Sequence, residues 1–113
     1  MAKSYSWHKL DDAALPLKEN DIHEIEVNGK LICCALHQGQ LYAFAYKCPH
    51  AGAFMADGFI DASGNIVCPI HRYRFSMKNG YNCSGEGYHL KTYPLEQRKD
   101  GYYIGFEKTG WFW

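Results

Sequence analysis

The sequence predicts an all-β fold, either an antiparallel β-sandwich or a small barrel, and three observations lead to it. Aromatic residues make up 16% of the chain, with nine Tyr, and such residues favour strands. Short β-branched or alternating runs are separated by closely spaced turn signals, which is typical of antiparallel folds. Only residues 11–20 could form a helical turn, and Pro16 limits its length.

The predicted strands begin with a hairpin. Apolar and polar residues alternate over Ile22–Val27, and Asn28-Gly29 is a strong turn signal that leads into Lys30–His37. Gln38-Gly39 predicts the next turn. The later predicted strands span residues 41–46, 58–61, 65–67, 73–77, 90–97 and 102–107.

Length, charge and cysteine count restrict the possible functions. A chain of 113 residues suits a single domain, 1–113, and its zero net charge argues against nucleic acid as a partner. Zero net charge also predicts that docking depends only weakly on salt. No apolar run is long enough for a bilayer, and the N-terminus lacks a signal-peptide pattern, so we expect no membrane partner and a cytoplasmic location. Five cysteines are an odd number, which favours thiols or metal ligands over disulfides.

Two short segments carry the ligand chemistry. They read Cys48-Pro-His50-Ala-Gly52 and Cys68-Pro-Ile-His71, so each offers one thiolate and one imidazole. A binuclear iron–sulfur cluster with one iron on two Cys and the other on two His requires this set of ligands. The Pro after each Cys restricts the backbone, and Gly52 can adopt a positive φ, which suits loops whose N–H groups turn towards sulfur atoms.

Two other interpretations of these four residues remain open. One is a mononuclear zinc site with two Cys and two His, although structural zinc sites usually begin with two cysteines two to four residues apart. The other is that the four residues are unrelated and merely share loops.

On these motifs the chain resembles the Rieske-type [2Fe–2S] ferredoxins, which carry C-P-H-x-G in one loop and C-P-x-H in the other. The segment LKTYP at 90–94 also fits the family. The resemblance implies a cluster-binding subdomain inserted between strands, at approximately residues 47–81. It further implies one [2Fe–2S] cluster, with Cys48 and Cys68 on the buried iron and His50 and His71 on the outer iron near the surface.

The resemblance also implies a function. Such a protein is a soluble single-electron carrier that accepts electrons from a flavin-dependent reductase and delivers them to a terminal oxygenase or similar acceptor. It is an electron-transfer component without a substrate pocket of its own. The alternative is a small Rieske-like subunit of a larger reductase, such as a nitrite reductase. Members of that branch often lack the ligands. A further alternative is a member of the ferredoxin family that has lost its cluster.

Several positions depart from the family pattern. Arg72 stands where Gly usually follows the second His, and the third loop at 84–87 lacks the usual Pro. Ala53 and Ile70 occupy the positions where high-potential relatives carry a disulfide, and Phe75 lacks a hydroxyl that could bond to the cluster. Fewer hydrogen bonds to sulfur predict a potential near the low end of the Rieske range, about −150 mV.

The remaining candidate residues have structural interpretations. We expect Cys33 and Cys34 to be buried, inert thiols on opposite faces of a strand. Cys83 is expected to be an ordinary loop thiol. Surface or hairpin roles are expected for the four other histidines, His8, His23, His37 and His89. A small core beneath the cluster is predicted from Phe54, Met55 and Phe59. The aromatic tail 111–113 is expected to pack on the barrel, with partner docking as the alternative.

Overall fold

Ten strands, all paired antiparallel, build the part of the chain that the structure describes. This computed structural model describes residues 4–49, 52–70, 72–83 and 88–108. The strands are β1 (Tyr5–Lys9), β2 (Ile22–Val27), β3 (Lys30–His37), β4 (Gln40–Ala45), β5 (Phe59–Ile60), β6 (Asn65–Val67), β7 (Arg74–Ser76), β8 (Thr92–Tyr93), β9 (Leu95–Arg98) and β10 (Gly101–Glu107). They form three sheets, with the orders β1-β10-β9, β2-β3-β4-β8 and β5-β6-β7. The predicted all-β antiparallel fold is therefore confirmed.

The meander β2-β3-β4 has the predicted hairpins. Asn28 and Gly29 have φ of 52° and 77°, and Gln38 and Gly39 have φ of 52° and 76°. Two consecutive positive φ values are what a type I′ turn requires, and such a turn matches the twist of the flanking strands.

The sheet β1-β10-β9 contains the strand that sequence reasoning missed. β1 runs antiparallel to β10, with Trp7 opposite Gly105. A side chain at Gly105 would be crowded by the Trp7 ring, whose nearest carbon would lie 3.2 Å from an added Cβ. The expected helical turn within 11–20 is only a 3₁₀ turn, Asp12–Ala14, and the Asp11 carboxylate accepts a hydrogen bond from the N–H of Ala13.

The predicted strand at 90–97 is interrupted at Pro94, which connects two sheets. β8 pairs with β4, whereas β9 pairs with β10. Pro94 has no N–H to donate to a ladder, but its carbonyl accepts a hydrogen bond from Gly105 at 3.0 Å. The chain thus passes from one sheet to the other at this residue.

The third sheet, β5-β6-β7, lies in the chain between β4 and β8, inside the segment predicted as an inserted subdomain. Phe59 pairs with Val67 in β6, and Val67 pairs with Arg74 in β7. β6 ends one residue before Cys68, and β7 begins two residues after Arg72, so the sheet supports one of the two ligand loops. The subdomain boundary at 47–81 stays a prediction.

Two apolar clusters fill the interior. One contains Cys33, the other contains Cys34, and both side chains are fully buried, as expected for neighbours on opposite faces of a strand. Met55 is buried as predicted, but Phe54 and Phe59 are about half exposed, so the predicted small core of three residues is wrong for these two. In the part of the chain described here, none of the helices has both the length and the apolar character that crossing a bilayer requires.

Candidate metal centre

The first ligand loop is closed by hydrogen bonds at its base. Lys47 and Phe54 form an antiparallel bridge, the N–H of Cys48 donates to the carbonyl of Ala53 at 2.7 Å, and the N–H of Gly52 donates to the carbonyl of Cys48 at 2.9 Å. Gly52 has φ of 67°, as the sequence predicted for a position that needs conformational freedom. Cys48 is therefore fixed at the start of a tight loop.

The second ligand loop repeats this geometry. The N–H of Cys68 donates to the carbonyl of Tyr73 at 2.8 Å, five residues ahead, just as Cys48 donates to Ala53. Arg72 has φ of 55° and stands four residues after Cys68, the position that Gly52 has after Cys48. Both loops thus present their cysteine from a similarly closed backbone, which the paired Cys-Pro motifs had suggested.

The two cysteines lie side by side in one apolar cluster. Cys48 is 2% exposed and Cys68 is fully buried. Burial raises the pKa of the Cys68 thiol to about 11. A hydrogen bond from the backbone N–H of Ile70 lowers the pKa and so opposes part of this rise. A hydrogen bond with Cys48, and its charge, raise the pKa further. Because the thiols of the two loops are in contact, both sulfur atoms face the same site between the loops.

The predicted histidine ligands, His50 and His71, lie outside the described residues, as do the third loop at 84–87 and the aromatic tail at 111–113. Among the described residues, no group of three or more His, Cys, Asp or Glu side chains could hold a metal ion. The described half of the predicted ligand set nevertheless fits an iron–sulfur cluster. Two neighbouring buried sulfur atoms, one of them hydrogen-bonded to a loop N–H, suit the thiolate-bound iron.

The surroundings of the cysteines agree with the expected absence of a loop-bridging disulfide. All five cysteines are described, and all five are free thiols. Ala53 is half-buried beside the apolar cluster, and Ile70 is exposed at 43%. Phe75 is fully buried in the cluster that contains both cysteines, so this position supplies packing in place of a hydroxyl.

The other cysteines are placed as the sequence predicted. Burial raises the pKa of both Cys33 and Cys34 to about 12, with further contributions from the charge of Glu24 at Cys33 and of Cys33 at Cys34. These thiols are neutral at neutral pH. Cys83 is exposed, and its sulfur donates to the amide oxygen of Asn65 at 3.5 Å, as befits a loop thiol.

The four other histidines have local hydrogen-bond partners. His23 and His89 bond to the backbone carbonyls of Ala14 and Asn79, at 2.9 and 2.8 Å. His8 bonds to the Ser6 hydroxyl at 3.0 Å. His37 is 8% exposed and bonds to the side-chain oxygen of Asn20 at 2.7 Å, so it has a buried structural role at the end of its strand.

Sequence reasoning missed two residues that shape the site. The carbonyl oxygen of Val67, immediately before Cys68, packs on Gly58 so closely that an added Cβ would overlap it. Lys47, directly before Cys48, is exposed, and its ammonium lies 5.6 Å from the centre of the Tyr46 ring. The only signal in the sequence was their position: Lys47 adjoins a ligand, and Gly58 begins a predicted strand.

Comparison with known proteins gives consistent results. The family model for the Rieske [2Fe–2S] domain matches residues 6–94. The ferredoxin component of naphthalene 1,2-dioxygenase/salicylate 5-hydroxylase systems from Ralstonia sp. is 36% identical over 88 residues, which cover 77% of this chain and 80% of that protein. A solved complex of reduced oxygenase and oxidised ferredoxin in carbazole 1,9a-dioxygenase has a chain that matches with a TM-score of 0.73 and 21% identity, over 92% of this chain and 96% of the matched chain.

A second solved structure has a similar fold. The nitrite reductase small subunit from Mycobacterium tuberculosis, described as putative and NADH-dependent, matches with a TM-score of 0.75 and 19% identity, over 91% of this chain and 96% of that one. At such identities, likeness to either structure establishes the fold alone.

Proposed function

Because the chain belongs to the Rieske [2Fe–2S] domain family, we propose that it is the ferredoxin component of an oxygenase system. It carries one [2Fe–2S] cluster and transfers single electrons from a reductase to an oxygenase. The observation that carries the proposal is the pair of matched loops, which bring the thiols of Cys48 and Cys68 together.

The roles of the site residues follow from ligand chemistry. A bound [2Fe–2S] cluster supplies a one-electron couple. We propose that Cys48 and Cys68 hold the inner iron, because their sulfur atoms are buried, and that His50 and His71 hold the outer iron. The loop N–H of Ile70 donates to the Cys68 sulfur and so stabilises its thiolate form.

Two grooves lie among the described residues. The larger has a volume of about 440 Å³ and lies between the turn at Asn79 and strands β8 and β10. The other has a volume of about 190 Å³ and lies beside His37 and Gly64. Neither is lined by residues of the two ligand loops. We propose that electrons enter and leave through the outer iron, on the side of His50 and His71.

The partners and location complete the proposal. We propose a flavin-dependent reductase as the electron donor, a terminal oxygenase as the acceptor, and the cytoplasm as the location. Retention of two cysteines and two histidines favours this function over the small subunit of a nitrite reductase, since that branch often lacks the ligands. The support for the acceptor is the similarity to ferredoxin components of oxygenase systems.

Electron transfer between purified components tests the proposal. The protein with its cluster is mixed anaerobically with NADH and the reductase of a naphthalene 1,2-dioxygenase system, and bleaching of the cluster absorbance is followed. The terminal oxygenase of that system is then added. We expect the absorbance to recover as the electron passes on. The assignment would be overturned by two results together. The first is a cluster that dithionite reduces but that passes no electron to the oxygenase. The second is co-purification of the protein with a large reductase subunit.

A further inference from the structure

The surface around the ligand loops differs in charge from the rest of the chain. Residues 47–81 contain four Lys or Arg and two Asp, which gives this segment a net charge of +2 with neutral histidines. Because the whole chain sums to zero, the remaining residues together carry −2. The zero net charge therefore conceals a division between a basic cluster-binding segment and an acidic remainder.

Two of these cations adjoin the ligands. Lys47 directly precedes Cys48, and Arg72 directly follows His71. Both side chains are exposed, and neither forms an ion pair with another residue in the described part of the chain. Their charges are thus available to a partner that approaches the ligand loops.

The acidic residues of the segment do not offset this pair equally. Asp61 lies in the turn between β5 and β6, and its carboxylate accepts hydrogen bonds from the N–H groups of Ser63 and Asn65 at 3.0 Å. That turn is at the end of the β5-β6 hairpin opposite to Cys68. Asp57, the other acidic residue of 47–81, is exposed in the 3₁₀ turn Met55–Asp57, which follows the first loop.

The same loops expose apolar side chains. Phe54, at the base of the first loop, is 48% exposed, and Ile70, inside the second loop, is 43% exposed. The Phe54 ring stacks on the Tyr46 ring at a centroid distance of 6.2 Å, and the Lys47 ammonium lies over the same Tyr46 ring, 5.6 Å from its centre. At the first loop, an exposed apolar ring and a cation are thus already packed on the Tyr46 ring before a partner binds.

We propose that Lys47, Phe54, Ile70 and Arg72 form a docking face, here called the port face, which selects an oxygenase whose electron-entry surface carries carboxylates around an apolar spot. This inference rests on the proposed function, since it assumes that the acceptor is an oxygenase. Carboxylates facing Lys47 and Arg72 would speed encounter, while Phe54 and Ile70 would be buried on contact. Transfer would then slow as salt is added, contrary to the weak dependence expected from net charge alone.

Small redox reagents of opposite charge measure the field at the port face without any protein partner. The reduced protein gives one electron either to ferricyanide, which becomes ferrocyanide, or to tris(phenanthroline)cobalt(III), which becomes the cobalt(II) complex. Stopped-flow rates are compared at about 0.01 M and about 0.5 M salt, between which screening shortens the reach of charges from about 30 Å to a few Å. The double variant Lys47→Gln/Arg72→Gln is compared with Lys99→Gln, an exposed cation in the β9-β10 turn.

At low salt we expect the double variant to react about tenfold more slowly with ferricyanide and faster with the cobalt reagent. Lys99→Gln should change neither rate by as much as twofold. The opposite directions are decisive, because a change in cluster potential alone would move both rates the same way. Equal effects of the double variant and the control, or changes of one direction with both reagents, would overturn the inference.

The terminal oxygenase of a naphthalene 1,2-dioxygenase system serves as the protein acceptor. We expect transfer to slow with salt, Lys47→Glu/Arg72→Glu to slow it more than tenfold, and Phe54→Ser to slow it at every salt concentration. If the Lys47→Glu/Arg72→Glu variant transferred electrons to the oxygenase faster than the unmodified protein, the proposed role of the port face would be wrong. An absence of transfer from the unmodified protein would count against the proposed function, while the reagent experiment would still decide the charge of the face.

Discussion

Arg72 has the same left-handed backbone conformation, four residues after Cys68, that Gly52 has four residues after Cys48. The φ values are 55° and 67°. A side chain in this region is strained because its Cβ approaches the backbone, and the cost is roughly 1–2 kcal/mol. Nothing described around Arg72 makes an ion pair that would offset this cost within the chain. A residue that is strained beside a predicted ligand, with an exposed charge, is consistent with a role in docking.

The first prediction concerns this strain. Arg72→Gly should stabilise the protein by about 1 kcal/mol and slow cluster loss on heating, because Gly adopts positive φ without a Cβ. Arg72→Ala is the matched control, since it removes the charge but keeps the strain. Thermal unfolding with cluster absorbance as the readout distinguishes the two variants. If Ala and Gly stabilise the protein equally, the effect comes from charge and the strain argument fails.

Features that depend on neighbouring residues were predictable from the sequence. Asn28-Gly29 specifies its turn through its own backbone preferences, and strand 65–67 was predicted with its observed bounds. Non-local features were not predictable. β1 was missed because it is defined by its partner β10, and the exposure of Phe54 and Phe59 depends on how the third sheet packs.

In the candidate site too, local features were predictable from the sequence and tertiary contacts were not. The Cys-x-His and Cys-x-x-His motifs give the ligand types locally, and the replacement of the usual Gly by Arg72 was visible in the sequence, whereas the positive φ of Arg72 came from the structure. The contact between the Cys48 and Cys68 thiols is a tertiary result, as is the packing of Gly58 under the Val67 carbonyl. No local pattern encodes which glycine supports a loop elsewhere in the chain.

The second prediction concerns the potential of the cluster. We expect a midpoint of about −150 mV, because burial of Cys48 and Cys68 in an apolar cluster and the loss of a hydroxyl at Phe75 disfavour the added negative charge. Anaerobic redox titration followed by absorbance or EPR checks it. Phe75→Tyr is the informative variant, since a new hydroxyl near the sulfur atoms should raise the midpoint. A midpoint above 0 mV for the unmodified protein contradicts the argument.

The third prediction concerns the ligands. His50→Ala and His71→Ala should each abolish the rhombic EPR signal of the reduced cluster, because each removes a proposed bond to the outer iron. His89→Ala is the matched control, since the His89 ring bonds to the backbone carbonyl of Asn79 and is not a proposed ligand. The control should retain the signal. Persistence of the signal in either ligand variant would show that the outer iron has other ligands.

The fourth prediction concerns the support beneath the second loop. Gly58→Ala should destabilise the protein by about 2–3 kcal/mol and speed cluster loss, because its Cβ would overlap the Val67 carbonyl just before Cys68. Gly39→Ala is the control: no atom lies within 4 Å of its added Cβ, so it carries only the cost of φ at 76°, about 1 kcal/mol. Urea unfolding and the rate of iron release measure both effects. If Gly58→Ala and Gly39→Ala release iron at equal rates, Gly58 does not specifically support the second ligand loop.

The fifth prediction concerns the thiols that are not ligands. In the cluster-bearing protein, iodoacetamide at pH 8 should label Cys83 alone, because Cys83 is exposed and Cys33 and Cys34 are fully buried. Mass spectrometry should find one adduct, and Cys83→Ser should remove it. Two or more adducts before the absorbance bleaches would show that the core opens.

The raised pKa values of Cys33 and Cys34 add a pH dependence to the same two residues. Their pKa is about 12 in the folded protein against 9.0 for a free thiol, so unfolding above pH 9 releases protons. The stability contributed by the neutral thiols is complete below pH 9 and is lost as the pH rises from 9 towards 12. Urea unfolding across this range should show a declining free energy of unfolding. The decline should be shallower in Cys34→Ala, because only Cys33 of this pair then has a raised pKa. An unchanged slope would show that these thiols do not cause the decline.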